Sequence, residues 1–323
     1  MYFPVAGIEV NPLVPPLVAF VISLFTSMGG VSGAFLLLPF QVSMLGFTSP
    51  AVSSTNQLFN IVAIPSGVYR YIREGRMVWP LTWIVIIGTL PGVLVGAIVR
   101  IKYLPDPKNF KLFVGLVLLY IGGRLLKDLF FTQKKKDTPS TEERFQQQRK
   151  QQPQTQKTNS SAPGEQLSRV TVLQWTPGRI VYDFCGETFT VNGVGVMILS
   201  LIVGMVGGVY GIGGGAIIAP FLVSFFGLPV YTVAGAALMG TFVTSVAGVI
   251  FYQILAPWYP GMAIAPDWLL GFLFGIGGFA GMYCGARLQK FVSARFIKWI
   301  LVVCLLFTAS KYIWPFLVSM VNP

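Results

Sequence analysis

Histidine does not occur anywhere in the chain. Its absence removes the commonest biological metal ligand and the commonest acid–base group near neutral pH. Cysteine occurs three times, as Cys185, Cys284 and Cys304, and no two stand at metal-binding or redox spacing. Charge is also scarce. Asp, Glu, Lys and Arg make up 11% of the 323 residues, against about 25% in soluble domains. None falls between Glu9 and Arg70, between Arg76 and Arg100, or between Glu187 and Asp267. A water-soluble fold cannot hide uncharged tracts of that length, whereas one helical span of a bilayer takes about 20 apolar residues. The composition therefore predicts an all-α polytopic membrane protein with the lipid bilayer as its surroundings. No cofactor and no metal are expected.

The net charge of +12 invites a nucleic-acid partner. The placement of the basic residues argues against one: they sit at span ends and in one central loop, as charges that hold loops on the cytoplasmic side do. The N-terminal residues lack the basic region and cleavage pattern of a signal peptide, so the first apolar run reads as a retained span.

Apolar runs cover Pro12–Met28, Ala34–Phe47, residues 50–69, Val78–Val99 and Leu112–Phe131. Thr48-Ser49-Pro50 reads as a helix start, with Ser as cap and Pro in the first turn. Residues 132–190 differ in kind. A Lys run and a Gln-rich run mark a linker, and 170–175, 180–184 and 188–191 read as two or three short strands. That is too little chain for its own core, so docking on the membrane part or on a second copy is expected. Apolar runs then resume: 193–209, 216–228, 230–255, 268–286 and 296–318. The organisation expected is a first transmembrane repeat at 1–131, a cytoplasmic linker with short β-strands at 132–190, and a second transmembrane repeat at 191–323.

The two halves are related. With an offset of 181, residues 30–71 align without gaps on 211–252, and 12 of the 42 positions are identical. Gly30, Gly33 and Pro39 match Gly211, Gly214 and Pro220. In a second register Gly88, Gly92 and Gly96 match Gly277, Gly281 and Gly285. Basic residues test the topology. Four crossings per half put three short-loop charges inside and eight outside. Counting each glycine-broken pair as a hairpin or as two passes puts seven inside and four outside, which the positive-inside tendency favours. The halves are then inverted, each with about five helical segments, and a break near the midplane of such repeats points to the solute site.

The breaks are Gly30–Gly33 and Gly211–Gly215. Irregular backbone at membrane depth must be satisfied by protein or line a cavity, and amide groups at a helix start favour an anion. Close helix packing is the competing role. It is the better one for the glycine triplets spaced by four, while a functional break is favoured for Gly211–Gly215. No Gly-Lys-Ser/Thr follows either break, so a nucleotide loop is not expected. The second span of the first half carries Ser49, Ser53, Asn56 and Asn60 at helical spacing, with Ser54, Thr55 and Gln57 beside them. Its counterpart offers Thr241, Thr244, Ser245 and Gln253. Taken singly, each serves equally well as interhelical glue; as a set they point to a solute path. The predicted spans hold no carboxylate apart from Asp128 near one end. Neutral donors without a carboxylate relay suit an anion, and the membrane potential drives anion export at about 2.3 kcal/mol per charge per 100 mV.

Gly211-Ile-Gly-Gly-Gly-Ala-Ile-Ile-Ala-Pro-Phe-Leu, with its degenerate copy at Gly30–Phe40 in which Ser32 and Ala34 replace two glycines, resembles the signature of the sulfite exporter TauE/SafE family, or TSUP permeases. The resemblance covers both membrane halves but not the insert. It implies a multipass cell-membrane permease, not an enzyme, for sulfite, sulfoacetate or related sulfur anions. The candidate solute contacts are Gly30, Ser32, Gly33, Ser53, Thr55, Asn56, Gln57, Asn60, Gly211, Gly213, Gly214, Gly215, Thr241, Thr244 and Ser245. A channel or importer for another small anion, a sensor or scaffold acting through the insert, and a homodimer are left open.

Overall fold

The computed structural model describes residues 1–28, 32–131, 169–176, 178–288 and 294–321. Gly30, residues 132–168 of the expected linker, and Lys290 therefore lie outside the described residues. Helices make up most of the described chain. In the first half they are α1 (Val14–Met28), α2 (Ala34–Ser43), α3 (Ala51–Ala63), α4 (Pro65–Arg73), α5 (Trp79–Lys102) and α6 (Pro107–Phe131). The second half has α7 (Gly193–Tyr210), α8 (Gly215–Phe226), α9 (Val230–Leu255), α10 (Trp268–Leu288) and α11 (Ala294–Val321). Among the described residues, six helices are long and apolar enough to cross a membrane. At about 1.5 Å per residue, the 10 residues of α2 and 12 of α8 reach only about half of a hydrocarbon core about 30 Å thick. Each is the short return arm of a hairpin, with α1 and α7 as the longer arms.

The expected span at 50–69 is two helices rather than one. Pro65 opens α4, and Ile64 before it keeps helical angles, with its amide on Asn60 O and its carbonyl accepting from Val68 N. Proline cannot donate within a helix, so the two helices meet there with one helical bond missing and no intervening loop. Nor does Ser49 cap α3. The cap residue is Pro50, without a side-chain cap bond. The first amide of the helix, Ala51 N, donates instead across the chain to Ala263 O at 3.0 Å.

The glycine triplets set the helix pairing. Gly88, Gly92 and Gly96 of α5 lie against Ser200, Met205 and Val209 of α7, and Gly204 and Gly208 of α7 lie against Thr89 and Val93 in return. Likewise Gly277, Gly281 and Gly285 of α10 lie against Pro16, Phe20 and Leu24 of α1. Residue numbers rise together in both pairs, so the helices of each run in the same direction. Backbone approaches backbone so closely that a Cβ would overlap main-chain atoms, which is the packing role of small residues in membranes.

α3–α4 and α9 cross the centre in opposite directions. Gln57 packs on Gly248, Asn60 reaches Ser245, Gly67 lies against Leu238, and Gly235 against Tyr71. α6 and α11 also pair head to tail, with Gly115 against Tyr312 and Gly122 against Leu305.

The described part of the insert forms three antiparallel strands, β3 (Thr171–Thr176), β4 (Arg179–Phe184) and β5 (Glu187–Asn192), in that order; a two-residue pair, β1 (Tyr2–Phe3) and β2 (Ile8–Glu9), precedes α1. Cys185 at φ 56 and Gly186 at φ 77 make the two-residue turn between β4 and β5. The insert docks on its own chain. Ile180, Tyr182 and Phe184 are fully buried, the Tyr182 hydroxyl shares a hydrogen bond of 3.0 Å with Thr232 Oγ1 at the start of α9, and Val170 N donates to Gly75 O at 3.0 Å. Burial pushes the Tyr182 phenol up to about 12.

Candidate functional site

The second break begins where α7 ends. Gly211 takes φ 80 and returns its amide to Gly207 O at 2.9 Å, a left-handed helix cap open to glycine at little cost. Its position forbids a side chain independently, because a Cβ would overlap the Ser53 backbone. Gly213 has φ 74 and faces Thr241 and Ser245, and Gly215 presses on Ala237 and Thr241 of α9. Gly214 N donates to Thr244 Oγ1 at 3.1 Å. The glycines thus serve both as a break and as a close packing surface, and the two roles proposed for them are not exclusive.

Asn56 joins the two breaks. Its side-chain amide donates to Ala34 O beside the first break and to Gly211 O in the second, each at 3.0 Å, and its oxygen accepts from Gln41 Nε2 at 3.2 Å. One turn on, Asn60 repeats the device. It donates to Ile212 O at 3.0 Å and Ser245 Oγ at 3.4 Å, and accepts from Ser32 Oγ at 2.6 Å. A third link follows from proline. Pro39 has no amide hydrogen, so the carbonyl four residues earlier, Phe35 O, loses its helical donor. The Tyr210 hydroxyl donates to it at 2.7 Å.

All of these side chains are fully buried, as are Ser53, Gln57, Thr241, Thr244 and Ser245. The site is closed to both sides in this structure. Its hydroxyls are mostly committed: Ser53 donates to Val209 O, Thr241 to Ala237 O, and Thr244 to Gly240 O. Gln57 differs. Both atoms of its amide are buried and have no hydrogen-bond partner, and it fills space left by Gly248, where a Cβ would collide with it. An unpaired buried amide costs about 1–3 kcal/mol.

The structure therefore brings Ser32, Ser53, Asn56, Gln57, Asn60, Gly211–Gly215, Thr241, Thr244 and Ser245 together, with Gly33 packed nearby on Ser23. Thr55 stands apart, accepting from Asp267 N at 2.9 Å before α10. Gln253 is exposed on the outer side of α9, in an apolar surface recess with Ile250, Ile254 and Trp268. The row on α3 that faces α9 is Ser53, Gln57 and Asn60, while Asn56 faces α2.

Asp267 and Arg100, which the sequence places at span edges, are both buried. Asp267 is buried and structural: its carboxylate accepts from Leu270 N at 3.1 Å, as a helix cap, and from Ala6 N at 3.2 Å. Arg100 is fully buried at the end of α5. It donates to Leu104 O and, at 3.4 Å, to Thr48 O, and its guanidinium lies 3.7 Å from the Phe110 ring centroid. Among the described residues no carboxylate is within ion-pair distance of it. The sequence signal was present, as an arginine four residues before a Leu-Pro loop, but such a residue at a span end reads as an exposed cation.

Broken hairpins joined at a buried neutral polar core, among helices long enough to cross a bilayer, define a polytopic membrane transport protein. Residues 16–312 match the family model described as Sulfite exporter TauE/SafE, and the chain belongs to that family, one of membrane transporters of sulfur-containing anions. Neither the comparison with curated proteins nor that with solved structures gives a match.

Proposed function

We propose that the protein exports a small sulfur-containing anion, sulfite or an organosulfonate such as sulfoacetate, across the cell membrane along the membrane potential. Gln57 is the observation that carries the reading. It is a fully buried amide with both atoms unpaired, whereas the Asn56 and Asn60 amides and the Tyr210 hydroxyl beside it staple the two breaks together; Gln41 Oε1 and Ser23 Oγ near the first break are unpartnered as well. An amide donor held without a partner suits a solute oxygen, which restores the missing hydrogen bond when it arrives. The surrounding groups are hydroxyls, amides and main-chain amides, and no carboxylate is among them, which suits an anion rather than a cation or a proton relay.

The solute moves when the hairpins part and exchange the bonds of Asn56, Asn60 and Tyr210 for bonds to it. An inverted repeat gives that motion two equivalent directions. The opposite runs of α3 and α9, and the reciprocal pairing of α5 with α7 and α10 with α1, support such a repeat. The insert then lies on the cytoplasmic side with Arg70, Arg73 and Arg76. Efflux of labelled sulfite, thiosulfate, sulfate and sulfoacetate from proteoliposomes under an imposed potential tests the function. Flux of at least one, without a proton or sodium gradient, is expected; strict dependence on such a gradient counts against potential-driven export.

A further inference from the structure

We propose that Arg100, Tyr252 and Ser49 form a second anion-binding subsite, at the end of the α3–α9 seam remote from the insert, where a sulfur oxyanion or sulfonate pauses between the central site and that face of the membrane. The inference rests on the permease reading given above.

Two buried polar atoms without partners, Arg100 Nε and Ser49 Oγ, lie there, together with Tyr252 Oη, whose polar neighbour is the Ser53 hydroxyl. Arg100 ties itself to the Ser49 segment through Thr48 O. Tyr252 is fully buried within electrostatic reach of Arg100, and it sits beside Ser53, whose own hydroxyl is committed to Val209 O at 3.3 Å. The two carbonyls and the Phe110 ring that Arg100 touches hold the side chain but neutralise no charge. A buried cation without a counter-ion is costly, and its charge is offset when an anion binds. Arg presents five donors in a fixed plane that matches oxyanion geometry, so the unused Nε is a ready contact.

Position adds a second argument. Val170 meets Gly75 just before α5 begins, whereas Arg100 lies near its far end, so the subsite faces the side opposite the insert. Along α3 the polar groups then run inward from Ser49 through Ser53 to Gln57, and Gln57 is again unpartnered. The seam offers an anion one charged stop and one neutral stop. Full burial of Arg100 and Tyr252 keeps lipid headgroups away from the charged one.

The test uses the full chain in proteoliposomes, with the half-saturating concentrations of sulfite, thiosulfate and sulfoacetate measured from each side. Loss of a charged hydrogen bond predicts that R100Q raises half-saturation about tenfold or more on the side remote from the insert, with R100K, which keeps the charge but not the planar donors, recovering only part of the loss. Y252F, which removes one hydroxyl and leaves the loop contacts of Arg100 in place, raises it about threefold on the same side. An unchanged half-saturation in R100Q with an unaltered melting profile overturns the subsite. Should R100Q fail to fold, an unchanged value in Y252F overturns it instead. A wild-type chain that moves none of the three anions overturns the permease reading itself.

Discussion

The Asn56 side-chain amide donates to Gly211 O at 3.0 Å across 155 residues of sequence, and its second hydrogen goes to Ala34 O at the same distance. One residue therefore holds both hairpin breaks. Asn56→Ala leaves two buried carbonyls and the Gln41 amide without their partner. Interhelical bonds in membranes average about 0.6 kcal/mol and buried protein bonds about 1–1.5. The expected loss is about 2–4 kcal/mol, read as a lower melting midpoint in detergent, together with reduced anion flux.

Gln57→Leu separates function from stability. The substitution removes an amide that already lacks partners, so the melting midpoint is expected to hold or rise while transport falls by at least about tenfold. A variant that transports normally places the solute elsewhere.

Gly211→Ala combines left-handed strain with overlap on Ser53, and folded protein is expected to be lost. Gly46→Ala is the comparison: φ is 73 but the space around it is open, so it costs only about 1 kcal/mol. Expression and monodispersity in detergent distinguish the two. Similarly, Gly92→Ala drives a methyl into the α7 backbone, whereas Gly123, with open space around it, tolerates alanine.

Tyr182→Phe loses the bond to Thr232 and weakens docking of the insert by about 1 kcal/mol, measured by limited proteolysis, with transport retained. The phenol is raised to about 12 in the fold from an ordinary value of about 10. A raised acid favours the neutral, folded form. Docking is therefore unaffected below about pH 10 and weakens as pH climbs toward 12.

Much of this architecture was legible in the chain. Uncharged tracts gave the membrane class, and four glycines in five residues marked a break whose copy at Gly30–Pro39 could be found by register. Spacing by four gave the packing role of Gly88, Gly92 and Gly96. The site was legible only as a set of residues. Periodicity grouped Asn56 with Ser53, but which neighbour each side chain meets depends on where α2 and α9 lie. The same limit hid the pairing of Pro39 with Tyr210, since a missing helical bond says nothing about its substitute. Arg100 was missed because its buried partners, Phe110, Leu104 O and Thr48 O, are contacts that a span-end arginine does not announce.

The most direct measurement is potential-driven efflux of labelled sulfite, thiosulfate and sulfoacetate from proteoliposomes holding the wild-type chain or Gln57→Leu. Wild-type flux of at least one anion, lost in a folded Gln57→Leu protein, is the predicted result. No wild-type flux of any of them, or equal flux in both proteins, would contradict an anion path through the joined breaks.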